Sequence, residues 1–186
     1  SDEFVKDFLP YTIELGRSWV QPAYQPSQNP RKGIFALDNL WDGLGAIAVD
    51  NAHIQHFFGK VTMYRSYNAE ARDAVLYFLE YYFPDKQKLV TPINPLGIVS
   101  SLIDFKNELH GLEVKEGLRV LSSFVKAGGE HIPPLINNYM QLSPTMKSFG
   151  TALNLEFGEV EETGIMVTIE DIYDHKKERH MSSYHP

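Results

Sequence analysis

Apolar and polar positions change period along this chain, and the changes mark out its elements. Residues 11–20, "YTIELGRSWV", alternate between the two classes and lie between Pro10 and Pro22, which predicts a strand. In "GIFALDNLWDGLGAIAV", Ile34, Leu37, Leu40 with Trp41, Leu44, and Ile47 with Ala48 recur at steps of three and four. One face of a helix started by Gly33 accounts for that spacing. Gly43 and Gly45 each cost such a helix about 1 kcal/mol relative to alanine, so close packing against a sheet is the expected compensation. "HFFGKVTMY", 56–64, reads as a second strand with Gly59 as a candidate bulge. "SYNAEARDAVLYFLEYYF" reads as a helix capped by Ser66 or Asn68 and stopped by Pro84.

Strand, helix, strand, helix in this order predicts a βαβα unit whose two strands lie parallel. Pro84, Pro92 and Pro95 make the following stretch, 84–113, less regular. A helix over about 114–127 ends at Gly128-Gly129, and "HIPPLINNYM" predicts a short helix entered through prolines. "PTMKSFGTAL" and "ETGIMVTIEDI" predict two further strands, and 173–181 a short helix. No internal repeat or low-complexity segment interrupts the series.

Composition narrows the class. With 186 residues, 43% apolar and 22% charged, the chain suits one globular domain. No apolar run approaches the ~20 residues that span a bilayer, and the start does not read as a signal peptide. The absence of cysteine removes disulfides, thiolate metal sites and cysteine nucleophiles together, and is compatible with the cytoplasm. A net charge of −7 argues against generic nucleic-acid binding. Local basic groups occur at Arg31-Lys32, Lys86 and Lys88, and "HKKERH", and read first as solvated faces. His53 and His56 share a spacing used by some metal sites but lack an acidic partner, so no metal is expected. His131, His175, His180 and His185 fall in a loop and a polar tail. Ser18 lacks a nucleophile elbow, which speaks against covalent catalysis.

The candidate chemistry lies at Glu14 and Arg17, which flank Gly16. On a regular strand these side chains point to opposite faces. A bulge at Gly16 would bring them to one face and free backbone N–H groups from the ladder. Amides freed around Gly16 and Ser18 could bind a thioester carbonyl as it becomes an oxyanion. Glu14, directly or through one water, could take a proton from an attacking amine. Arg17 could orient that carboxylate or the carboxylate of an amino-acid substrate. A partly exposed ion pair worth at most about 1 kcal/mol explains the same two residues without chemistry. Further on, "QNPRKG" brings Arg31, Lys32 and the amides after Gly33 to a helix N-terminus, a natural anion site.

Three stretches carry a resemblance: "ELGRSWVQPAYQ" with "LWDGLGA"; "FFGKVTMYRSYN"; and "IPPLINNYMQL" with "FGTALNLEFGEVEETGIMVTI". In this order they resemble the amino-acid N-acyltransferases of the GNAT superfamily that make ornithine- or glycine-containing lipids, proteins also known under the hemolysin name. Glu14 and Arg17 also resemble the E-x-x-R of acyl-homoserine-lactone synthases. The resemblance implies an α+β, GNAT-like fold, a mixed sheet covered by helices. It implies one domain over 1–186, the C-terminal larger part of a longer protein, because few residues precede the Glu14 strand where the family has several elements. The implied reaction moves a (3-hydroxy)acyl group from acyl carrier protein to the α-amine of ornithine or glycine, giving a lyso-aminolipid.

Within that reading Glu14 and Arg17 are catalytic, Gly16 and Ser18 supply donor amides, and Arg31, Lys32 and Gly33 bind the donor phosphate. The coenzyme A loop of relatives is poorly matched, with Pro30 three before Gly33 and Phe35 two after it. That favours a phosphopantetheine thioester on a carrier protein, with acyl-coenzyme A left open and no tightly bound cofactor expected. The implied location is cytoplasmic, with peripheral contact to the inner face of the membrane left open. "SSLIDFKNELHG" is a candidate lining for an acyl slot, whereas Phe78, Tyr81, Tyr82 and Phe83 read as core. An acetyl-coenzyme A acetyltransferase and a non-catalytic, hemolysin-like or ligand-binding protein remain as alternatives.

Overall fold

The computed structural model of the chain describes residues 1–16, 20–25, 30–182 and 184, with the backbone alone for 30–38. It contains four strands: β1 (Thr12–Leu15), β2 (His56–Met63), β3 (Lys147–Asn154) and β4 (Val160–Thr168). The α-helices are α1 (Pro30–Asp50), α2 (Ala69–Tyr82), α3 (Ile103–Leu109), α4 (Val114–Ala127), α5 (Pro134–Met140) and α6 (Asp174–His180). The strands form one mixed sheet in the order β1-β2-β4-β3, with β1 parallel to β2 and the other pairs antiparallel. The expected parallel βαβα unit is therefore present, and the architecture is compatible with a GNAT-like fold.

Alternation along β2 divides the interior. Val61 and Met63 point to the helix layer and join the main core with Val75, Phe78 and Leu79 of α2 and Leu121 and Val125 of α4. Phe58 points the other way and packs with Leu89, Phe149 and Met166, covered by Phe4 and Phe8 of an N-terminal helical turn (Phe4–Phe8). Of the two candidate caps for α2 it is Asn68 that works: its side chain accepts hydrogen bonds from the Glu70 and Ala71 amides, both at 3.0 Å. Tyr82 closes the helix at the other end, donating its hydroxyl to the Leu112 carbonyl at 3.0 Å. Gly117 of α4 leaves room for that hydroxyl. Phe78 and Phe83 are buried as expected, whereas Tyr81 is exposed.

Several expectations need correction. The β2–β4 ladder runs without a slip from His56↔Thr168 to Met63↔Glu161, so Gly59 is no bulge. Glycine is required there because a Cβ would collide with the hydroxyl of Tyr139. The slip lies in β3, between Ser148 and Thr151, where Gly150 has φ +86°, a conformation cheap only for glycine. Helix α1 begins at Pro30 rather than Gly33; proline suits a first turn because its missing N–H would find no helical partner. Gly45 packs against the α6 backbone at His180, not against the sheet, and nothing in the structure explains Gly43. Leu102, Phe105 and Leu109 fill the main core, so "SSLIDFKNELHG" supplies packing and not a slot.

The proline-rich stretch after α2 is a strap along the outer edge of β3. It is tied by a Pro84↔Ser148 bridge, a Pro95↔Ala152 bridge and a Leu96 N–H bond to the Thr151 carbonyl at 2.8 Å. Asp73, fully buried on α2, holds the strap's far end by accepting from the Val99 and Ser100 amides at 3.0 and 2.7 Å.

Candidate active site

The site is built where the described pairing of β1 with β2 ends. Thr12–Leu15 pair in regular parallel register with His56–Gly59, and among the described residues β2 continues through Lys60–Met63 beside β4. Among the described strands β1 is the edge, so half of its backbone polar groups face away from the sheet. The expected bulge is absent from the β1 ladder, and Gly16 lies just past its end with open space where a Cβ would stand. Within the described ladder the unpaired backbone is that of the free edge of β1, and a bulge between Gly16 and Arg17 lies outside the described residues.

Glu14 stands opposite Phe58 on the face away from the main helices, and Leu15 turns toward them. The Glu14 carboxylate is solvent-accessible. Its Oε1 lies 3.5 Å from the Lys60 ammonium, with the two side chains 60% and 47% exposed. An ion pair this exposed contributes little to stability, well under about 1 kcal/mol, so its interest is placement. It puts one carboxylate and one cation at the strand separation. Lys60 carries no signal in the sequence pattern; only the strand register brings it beside Glu14. Arg17 and Ser18 lie outside the described residues, and with them the proposed convergence of Glu14, Arg17 and the Ser18 amide.

On the other face, Tyr139 of α5 places its hydroxyl against Gly59, the last β2 residue paired with β1. Burial pushes the Tyr139 phenol up to about 12, so it is protonated at neutral pH and able to donate a hydrogen bond. Its ring meets Trp41 of α1 edge-on at 5.5 Å. Sequence reading missed Tyr139 as a candidate; a glycine at an inward-facing strand position, marking close approach by a partner, was the available signal.

Arg31, Lys32 and Gly33 occupy the first turn of α1. A crossover helix between parallel strands runs against them, so its N-terminus opens at their C-terminal ends, the end where β1 and β2 part. There its dipole favours an anion. Asp42 anchors α1 to α6 through a 2.7 Å contact with Nδ1 of His180. At the corresponding end of α2, Asn68 occupies the Glu70 and Ala71 amides.

His56 is buried, with Nδ1 3.3 Å from the Thr168 hydroxyl and its ring 5.3 Å from that of Phe8. Burial lowers its pKa, Asp171 opposes this, and Lys147 adds to it. It is a core histidine. Among the described residues no group of three or more His, Cys, Asp or Glu side chains could hold a metal ion. Among the same residues no helix is long and apolar enough to cross a membrane.

Comparison with known proteins finds two curated relatives. Over 184 residues, 99% of its length, the chain is 50% identical to a protein of Phocaeicola vulgatus named glycine N(alpha)-acyltransferase. It is 49% identical over the same extent to a Bacteroides thetaiotaomicron protein of that name. The chain is a homologue of amino-acid N-acyltransferases. It spans 56% and 55% of the lengths of these two curated relatives. No protein-family model and no solved structure matches it.

Proposed function

We propose that the protein this chain represents is an amino-acid N-acyltransferase of the glycine-lipid type. It joins a (3-hydroxy)acyl group, delivered as a thioester on acyl carrier protein, to the α-amine of glycine or ornithine. The observation that carries this reading is the position of Glu14, on the last paired stretch of β1 at the point where two parallel strands separate. About 50% identity over 99% of the chain to two proteins named glycine N(alpha)-acyltransferase supports an amino-acid acceptor.

In this reading the amine nitrogen attacks the thioester carbonyl and Glu14 accepts the proton that the nitrogen sheds, directly or through one water. The negative charge that develops on the carbonyl oxygen is met by the backbone amides of Gly16 and Ser18. The C–S bond then breaks, leaving an amide and a phosphopantetheine thiol. The Tyr139 phenol, kept protonated by burial, donates a hydrogen bond at the split. Arg17 holds the acceptor's carboxylate, and Lys60 fixes the position of Glu14. Arg31, Lys32 and the amides at the start of α1 receive the donor phosphate. Acyl carrier protein is the preferred donor because Pro30 and Phe35 spoil the glycine loop that a coenzyme A pyrophosphate would use. The unit 1–186 belongs to a GNAT-like fold, the free edge of β1 being where further strands would add. Such an enzyme works in the cytoplasm, touching the inner face of the membrane at most peripherally.

Mass spectrometry of lipids from cells expressing the protein in its cellular form tests the reading. A new fatty amide of glycine or ornithine is expected. Cells that make ample protein and no such amide would refute it, and appearance of N-acetylated product alone would favour an acetyl-coenzyme A enzyme.

A further inference from the structure

A second concavity lies at the opposite edge of the sheet from Glu14. Between its Pro84 and Pro95 ties the strap carries Pro92 against Gly150, where β3 slips, and a hollow is left between the strap and α2. The resulting cleft of about 640 Å³ falls in the range of small-molecule sites. Its walls are apolar, formed by Leu76 and Leu79 of α2, Leu96 and Ile98 of the strap, and Phe149.

The rim is polar and carries three charged side chains, Lys88, Glu80 and Asp85, the last with its carboxylate occupied by the Leu89 and Val90 amides. Lys88 sits in a left-handed conformation, φ +53°, which costs a non-glycine residue of order 1 kcal/mol or more. Asp85 enforces that turn. Its carbonyl accepts from the Lys88 amide, and its carboxylate accepts from the Leu89 and Val90 amides at 2.6 and 3.3 Å. Among the described residues the Lys88 ammonium has no ion-pair partner. A strained turn thus sets an unpaired cation at the mouth of an apolar slot, with Glu80, an exposed acceptor, on the same rim.

We propose that this cleft binds a single-chain N-acyl amino acid, its acyl tail between α2 and the strap, its carboxylate on Lys88 and its amide N–H facing Glu80. The choice of head group rests on the acyl-transfer reading, since such a molecule is that reaction's product. The cleft is a holding site at the far edge of the sheet, separate from the β1–β2 split. An apolar slot stabilises such a tail by about 0.8 kcal/mol per methylene buried.

Titration of the protein with N-dodecanoylglycine and with its methyl ester, below their micellar concentrations and without acyl donor, tests this. Saturable binding of the acid is expected. Gly97 lines the cleft and has open space at its Cβ position, so Gly97→Trp can start a bulky side chain there that fills the slot, and it should abolish binding of both ligands while leaving Tm near that of the unmodified protein. Lys88→Gly removes the ammonium while relieving the left-handed strain. It should weaken the acid about fivefold and leave the ester unchanged. Unaltered affinity in Gly97→Trp, or no saturation by the acid, would overturn the proposal. Acid and ester binding alike to the unmodified protein would overturn the role of Lys88. Fatty-amide production in cells by a protein that fails this titration sinks the holding site alone, so the two readings fail separately.

Discussion

Gly59→Ala tests how the floor of the candidate site is assembled. The Cβ it adds has nowhere to go: the Tyr139 hydroxyl occupies its position, and ring carbon Cζ would be 3.2 Å away. Tyr139 cannot swing freely, because it is 5% exposed and its ring abuts Trp41. Overpacking of this kind costs about 1–3 kcal/mol, and the alanine recovers about 0.5–1 kcal/mol by restricting the unfolded chain. At mid-range a net loss of about 1.2 kcal/mol remains, which lowers Tm by roughly 2–5 °C in a chain of this size. Urea unfolding should show a reduced midpoint at constant m, the mark of a stability change alone. In a Tyr139→Phe background the colliding oxygen is gone, and the Gly59→Ala penalty should shrink by about 1 kcal/mol, a coupling typical of residues in contact. A neutral or stabilising Gly59→Ala, or the same penalty in both backgrounds, would refute the close approach and with it the placement of Tyr139 at the split.

Three further changes probe the frame around the site. Removing the cap with Asn68→Ala exposes two amides of α2 and should cost about 1 kcal/mol in denaturant unfolding. Asp73→Ala strips Arg72 of a buried partner 3.1 Å away and frees the Val99 and Ser100 amides. A loss of about 3 kcal/mol or more is expected, with faster proteolysis near Val99; cleavage at the unmodified rate would count against the strap being pinned there. His56 has a folded pKa below its unfolded value of about 6.5, so the unfolded state binds the extra proton. Its contribution is present above about pH 6.5 and fades as pH falls toward the folded pKa. His56→Gln should flatten the dependence of stability on pH between 7 and 5, and an unchanged slope would disprove burial as the cause.

Elements with a strong local period were readable from the chain. The apolar face of α2, the glycine end of α4 and the prolines entering α5 each announce themselves within one or two turns. What depends on distant partners was not. A glycine inside a strand looks the same whether it makes a bulge or admits a ring, so Gly59 and Gly150 were indistinguishable until register and φ separated them. Gly45 likewise answers to the α6 backbone at His180, far away along the chain. At the candidate site Glu14 was legible because an acid beside glycine breaks the pattern of an apolar strand. Lys60 and Tyr139 were not, since only the pairing of β1 with β2 and the docking of α5 beneath them bring either residue there. The His53 and His56 spacing meant nothing once His56 proved to be buried against Phe8 and Thr168.

The most direct test of the account is single-turnover acyl transfer by Glu14→Gln in the protein's cellular form, with acyl-acyl carrier protein as donor and glycine as acceptor. Glutamine keeps the shape of the side chain but cannot accept the proton, and Glu14 is too exposed to matter for folding. The rate should fall by about two orders of magnitude or more while folding stability stays within about 0.5 kcal/mol, the span typical of surface changes. A variant that turns over at the unmodified rate would remove Glu14 from the chemistry and leave the β1–β2 split without its assigned role.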